Sequence, residues 1–254
     1  MGTGRWLGGA FVTNENWIDA NVYAVPRLAD SPDIEPLELA RRWARHRLSL
    51  RDPEDIAAVV QVLEHSATVV LKSFYIGPFA RSRSDPWHPN GDWIQDDLID
   101  ANVAWQIVQQ LPESSLDEMV REKDQALEQV TTDRTALANR LSQDNRAAIK
   151  PLVNTLRYTE SLLATLRDLL AGLVAYRRYR KGHSLGIAKT CQKHLLAAQS
   201  HWNHHCQHDG SLPGSATAFR EAHFWELTQS ILDELAQPPC PSEEQRKCQV
   251  QVSR

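Results

Sequence analysis

Apolar residues return at helical spacing along most of this chain. Pro36 stands where a first helical turn accepts proline, and Leu39, Ala40, Trp43 and Arg47 follow every three or four residues. Asp52 and Pro53 form a start signal for a second helix, which carries Ile56, Val59, Val60, Leu63, Ala67 and Val70 on one face. Three prolines, two glycines and an Asn-Gly turn make Gly77 to Gly91 a loop, and Asp92 reads as the cap of a helix running to about Gln110.

After Pro112 the chain is charged on most faces. Ser115 with Glu118 reads as a capping box, and Val120, Lys123, Leu127 and Val130 leave only a narrow apolar stripe down to about Leu141. Such a helix pairs with one neighbour, and the partner is Ile149 to Arg180, where Leu152, Leu156, Leu163, Leu166, Leu170 and Leu173 form a fuller apolar face. Gly182 and Gly186 bracket a break before helices at about Leu185 to Gln207 and Ala216 to Ala236. From Gln237 onward the Pro-rich, then polar, composition reads as a disordered tail. Leu7 to Thr13 is the one strand candidate. The expected fold is mainly α: a multi-helix domain with a long helical hairpin and one short N-terminal strand.

Within this pattern Trp17, Ala20, Asn21, Tyr23, Arg27, Leu28, Ala29, Pro32, Asp33, Glu38, Ala40 and Trp43 form a motif. It resembles the segment that joins the (β/α)₈ barrel of the α-glucuronidase family of glycoside hydrolases to a helical C-terminal domain. A looser echo follows at Tyr75, Gly77, Pro78, Pro86, Trp87, Asp92 and Trp93, and Asp30 departs from the tryptophan that the family favours. The resemblance implies that Leu7 to Thr13 is the last barrel strand, that Asp19 to Val25 belongs to the helix after it, and that the other strands are missing. The expected organisation is then a remnant of the last βα unit over 1–35, a helical domain over 36–236 and a tail over 237–254.

Substrate in such barrels lies at the C-terminal ends of the strands. Asn14, Glu15, Asn16 and Trp17 would form a loop facing a sugar, Trp17 stacking on a pyranose and the asparagines bonding hydroxyls; a plain polar turn is the alternative. Inverting hydrolysis needs two carboxyl groups roughly 6.5–9.5 Å apart. The resemblance puts these on earlier strands, so the expectation is a fragment of a xylan-degrading enzyme, non-catalytic by itself and without a cofactor. Its partners would be carbohydrate through the parent enzyme, and a barrel domain or a second copy. A stand-alone helical interaction module is the rival.

Composition narrows the alternatives. The net charge of -4 gives no global field for nucleic acid or an anionic membrane. Apolar runs such as Ala57 to Val62 fall short of the ~18 residues that cross a bilayer. No signal peptide is visible, which favours the cytoplasm if Met1 is the true start; the compartment is otherwise unknown. Four cysteines do not suggest a disulfide framework.

Three clusters remain to be weighed. Asp92, Asp96, Asp97 and Asp100 fall opposite Ile94, Leu98, Ala101 and Trp105 on a helix, with Asp97 at the boundary, and read as a solvated face. Tyr176 to Lys181 mixes aromatics and cations, which suit either a nucleic acid or the end of a helix, where cations oppose the macrodipole. With Cys191, Leu195, Ala198, Trp202 and Cys206 as a buried stripe, His194, His201, His205 and His208 line its flank and His204 points out. His201 and His205 have the spacing of a shared metal, but the stripe lacks a metalloprotease Glu and clear third and fourth ligands beyond Cys206, His208 or His223, so no metal is assigned.

Overall fold

The computed structural model describes residues 15–82, 91–95, 98–209, 221–223 and 225–237. The expected strand at Leu7 to Thr13, Asn14 and nearly all of the expected tail lie outside them. The fold is mainly α. The described helices are α1 (Glu15–Asp30), α2 (Pro36–His46), α3 (Pro53–Phe74), α4 (Gly77–Ser82), α5 (Ala101–Gln110), α6 (Glu113–Ala138), α7 (Arg146–Gly182), α8 (Leu185–Gln207) and α9 (Trp225–Ala236).

Local signals open several of these helices as read. Asp52 caps α3 by accepting the Glu54 N–H at 2.8 Å, with Pro53 in the first turn. Glu35 does the same for α2 through the Glu38 N–H, also at 2.8 Å. At the end of α7, His183 takes the left-handed conformation, φ 47°, and its N–H closes on the Tyr179 carbonyl at 2.7 Å. The chain then re-enters α8 two residues later.

α7 is the axis of the molecule. From Leu162 to Tyr176 almost every residue is buried, because α8 packs along one side, α6 along another, and α5 meets it near its C-terminal end. The expected hairpin of α6 and α7 is present. Its seam is wider than the sequence suggested: Leu116, Met119, Lys123, Ala126, Val130, Asp133 and Leu137 are the buried residues of α6. Their alternating three- and four-residue spacing is that of a coiled-coil stripe, with Lys123 and Asp133 as its polar members.

Several readings change. The helix expected over Asp92 to Gln110 is instead a strand pair followed by a shorter helix. Gly91 and Asp92 both have positive φ, 68° and 62°, which turns the chain back. β1 (Ile94–Gln95) then pairs antiparallel with β2 (Leu98–Asp100), and β2 pairs in parallel with β3 (Glu221–His223), inside what was expected to be one helix from Ala216. Asp100, not Asp92, is the cap: its carboxylate accepts the Asn102 and Val103 N–H groups at 2.9 and 3.2 Å. Ile94, Ala101 and Trp105 therefore do not share a helical face.

The loop from Gly77 contains α4, anchored where the Gly77 N–H donates to Glu122 Oε2 at 2.9 Å. α6 starts at Glu113 with no side-chain cap, so Ser115 lies within its first turn, and Glu118 pairs with Arg81 at 2.7 Å. On α3 the buried stripe runs through Val62, Val69 and Ser73, while Ala67 and Val70 are exposed. By length and composition α3 could cross a membrane; its buried face packs on α2 and α6.

Polar ties fix the register of the long helices. Arg140, past the end of α6, bonds Asp55 and Glu54 at 2.8 and 2.6 Å, and Asn145 donates to Asp55 at 2.6 Å, so the α6–α7 turn is pinned to the start of α3. At the other end of α3, Lys123 donates to the carbonyls of Lys72 and Tyr75, which the helix itself leaves unbonded.

α7 and α8 approach closely at Gly172, where an added Cβ would overlap the Leu195 side chain and sit 3.4 Å from the Leu195 backbone nitrogen. Gly172→Ala is expected to lower stability by about 1–3 kcal/mol through overpacking, against the gain of ~1 kcal/mol that helix propensity alone would give. Urea unfolding decides the sign, and a more stable variant would refute the close approach.

Candidate functional site

The motif that carries the resemblance folds into one knot between α1 and α2. Trp17, Ala20 and Tyr23 are spaced to share a face of α1, and this face meets Trp43 of α2, 1% exposed. The Trp17 and Trp43 rings lie 6.2 Å apart, tilted by 34°. Trp43 Nε1 donates to Asp19 Oδ2 at 2.9 Å, satisfying an indole N–H that burial would otherwise strand. Arg47 reaches the same carboxylate oxygen at 3.5 Å. The Tyr23 hydroxyl meets His46 Nδ1 at 2.8 Å, and the Arg27 guanidinium stacks 3.6 Å above the Tyr23 ring.

Of the four residues expected to face a sugar, Asn14 lies outside the described residues. Glu15, Asn16 and Trp17 form the first turn of α1 rather than a loop. The Trp17 ring packs against the cluster around Trp43, and its Nε1 is buried without a hydrogen bond among the described residues. In the second echo, Trp93 is fully buried and donates to the Phe74 carbonyl at 3.0 Å, which pins that loop to the core. Trp87 lies outside the described residues.

The histidines belong to a polar seam between α7 and α8. Asp168, 3% exposed, receives His194 Nδ1 at 2.8 Å, His201 Nε2 at 3.3 Å and Arg167 at 3.3 Å. Burial pushes its carboxyl up, but the bonds from His201 and His194 and the Arg167 charge outweigh this and hold it below the ordinary value. One turn on, the buried stripe runs Cys191, Leu195, Ala198, Trp202 and then His205; Cys206 is exposed. The step after Trp202 is three residues, not four, and this corrects the expected stripe. His205 is thus inside it, with Nδ1 2.7 Å from Ser161 Oγ, Trp202 stacked on it and the Tyr158 ring edge-on. Its Nε2 is buried with no hydrogen-bond partner among the described residues.

These contacts separate the two histidines of the metal spacing: His201 faces Asp168 and His205 faces Ser161. Among the described residues no three His, Cys, Asp or Glu side chains are arranged to hold a metal ion. His204 leans on Asp209 at 3.4 Å, and His208 packs beside His204. Burial pushes the Cys191 thiol up to about 12, so it is inert as a nucleophile.

The basic run is internal wiring. Arg177 donates to the carbonyls of Val108 and Leu111, closing the end of α5. Arg178 pairs with Glu113 and Asp117, and Lys181 with Glu113. Bonds from Arg178 and Lys181 hold the Glu113 carboxyl down at about 2. The neighbouring Tyr176 hydroxyl donates to Glu234 of α9.

Comparison of the chain with protein-family models, with curated proteins and with solved structures finds no match. Lys123 was read from sequence as a member of the α6 stripe and is buried there; the buried Asp133 of the same stripe and Asp168 of α7 were missed.

Burial lowers the His205 imidazole to about 4. Between pH 6.5 and that value the unfolded chain binds a proton that the folded chain does not, so acid favours unfolding, by about 3 kcal/mol in full. His205→Phe is expected to flatten the loss of stability between neutral pH and about pH 4.5 in urea titrations. An equal acid loss in both proteins would exclude His205 as its source.

Proposed function

We propose that this chain is the helical C-terminal region of an α-glucuronidase-like glycoside hydrolase acting on xylan-derived glucuronosides, a scaffold that packs on a barrel domain and performs no turnover by itself. The observation that supports the reading is the two-sided character of α1. Its inner face, Trp17, Ala20 and Tyr23, is covered by α2 and α7. At about 100° per residue, Val22, Val25 and Ala29 fall on the opposite side. Val22 and Val25 are 57% and 59% exposed.

A helix that is apolar on two opposite sides suits a position between two bodies. The outer helix of a barrel's last βα unit has that position, with the sheet on one side and the next domain on the other. The knot around Trp43 fits this reading, since five of the motif positions, Trp17, Ala20, Tyr23, Arg27 and Trp43, take part in it. A stand-alone interaction module would use the same outer face for a different partner.

Two measurements separate these. The chain incubated with aldouronic acids is expected to release no glucuronic acid, whereas the product of an extended upstream reading frame releases it; turnover by the chain alone, or none by the extended product, sinks the proposal. Val22→Asp with Val25→Asp should leave the stability of the chain alone within about 0.5 kcal/mol, as exposed positions do, and should abolish soluble, active extended product. If the double variant instead behaves normally there, the face meets some other partner.

A further inference from the structure

A groove of about 330 Å³ lies between α3 and α6, lined among others by His65, Val69, Lys72, Gln125, Ala126 and Gln129. We propose that it binds a small hydroxycarboxylic acid of about four to six carbons, its carboxylate on Lys72 and a hydroxyl on His65. The inference stands apart from the proposed function and uses none of the residues that support it.

The groove opens where the α6 stripe changes character. Ala126 and Val69 provide a small apolar floor, and two stripe positions beyond Ala126, after Val130, stands Asp133, 4% exposed. A carboxylate so buried needs donors, and two converge on Oδ1: His65 Nδ1 at 2.9 Å and Gln129 Nε2 at 3.0 Å. His65 Nδ1 lies 2.9 Å from both Asp133 Oδ1 and Gln129 Nε2; a proton on Nδ1 satisfies the carboxylate, and Gln129 turns its own N–H to the same oxygen. In the neutral ring Nε2 is then an acceptor lone pair. It has no partner among the described residues, and the ring is on the wall of the groove. A ligand hydroxyl is the donor that would complete it.

Two turns further along the same wall, Lys72 is half-buried. Its Nζ donates to Gln125 Oε1 at 2.9 Å, and among the described residues it forms no ion pair. By contrast, Arg81, Arg134, Arg140, Arg167 and Arg178 are all paired. A lysine without an ion pair among the described residues, on the wall of a concavity, offers its ammonium to an anionic group. Lys123, bonded to the Lys72 carbonyl, adds a second positive charge behind it.

The spacing sets the length of the ligand. Two turns separate the His65 and Lys72 backbones by about 10.5 Å of helical rise, and the lysine stem leans back over part of it. A chain of four to six carbons bridges the remainder, within a volume ordinary for a small-molecule pocket. Glu128, exposed on the rim, would repel a second carboxylate, which favours a mono-acid.

The probe is D-gluconate, titrated into the whole chain while the His65 ring resonances are followed by NMR, with calorimetry in parallel. Saturable shifts at the His65 ring are expected. Sorbitol, which lacks the carboxylate, and hexanoate, which lacks the hydroxyls, should each bind at least tenfold more weakly. Lys72→Met should weaken gluconate at least tenfold, and His65→Phe likewise, with thermal melts verifying that each variant is folded. No saturable shift with gluconate overturns the proposal, and so does binding of sorbitol or hexanoate as tight as that of gluconate. The ligand comparison uses the native chain, so it decides even if a variant fails to fold.

Discussion

A helix that is apolar on every side can exist in water only if something covers every side, and α7 imposes that condition on the whole molecule. Its 37 residues rise about 55 Å. Over its second half Leu162, Leu163, Leu166, Leu169, Leu170, Leu173 and Val174 point in all directions and are all buried. Two antiparallel neighbours, α6 and α8, are supplied by short turns at either end. α5 with its strand pair and α9 close the C-terminal end, where Trp105 and Tyr176 pack at 5.2 Å and Glu234 accepts from Tyr176. At the N-terminal end, Ile149, Leu152, Val153 and Leu156 are covered by the cluster of α1, α2 and α3.

Apolar burial of this kind is strong but non-directional, and long helices sliding on one another by a turn would lose little of it. The buried polar residues are what distinguish one register from the next. Across the seams Asp133 meets His65, Asp168 meets His194 and His201, and Lys123 finds free carbonyls at the end of α3. A slip of one turn would leave Asp133 and Asp168 with only Gln129 and Arg167 of their own helices, and the Lys123 charge without those carbonyls, at a cost of several kcal/mol. Burial lowers the Lys123 ammonium to about 8, with Glu122 acting against the shift, so it keeps its charge at neutral pH. His205 differs, since its Nε2 meets no donor or acceptor among the described residues, and burial keeps the ring neutral.

Those same residues mark the limit of what the sequence discloses. α7 and α8 were legible almost to the residue, because their leucine stripes are long and the Gly182 to Ser184 break is local chemistry. α6 was legible as a helix but not in its stripe. With Lys123 and Asp133 occupying two of its seven seam positions, periodicity alone drifts toward Val120 and Leu127. The strand pair at Ile94 and Ile99 could not be read, since two or three residues hold no period and β3 comes from far along the chain. His205 was assigned to a flank because hydrophobicity favours Cys206 at the next stripe position, whereas helical phase favours His205. The groove between α3 and α6 depends on which polar residues face one another, and no spacing within a single helix carries that.

The outward face of α1 follows from the knot. Once Trp43 donates to Asp19 and Tyr23 packs against His46, the rotation of α1 about its own axis is fixed, and with it the direction of Val22 and Val25. Rotating the helix to hide the two valines would strand the Trp43 indole N–H and uncover Trp17 and Tyr23. Two valines at about 1.5 kcal/mol each are a smaller loss than a buried Tyr, a Trp and an unpaired N–H together. Their exposure is therefore not a packing fault that the chain could relieve by itself. It is the consequence of committing the aromatic side of α1 to the helical domain, and it leaves the aliphatic side uncovered among the described residues.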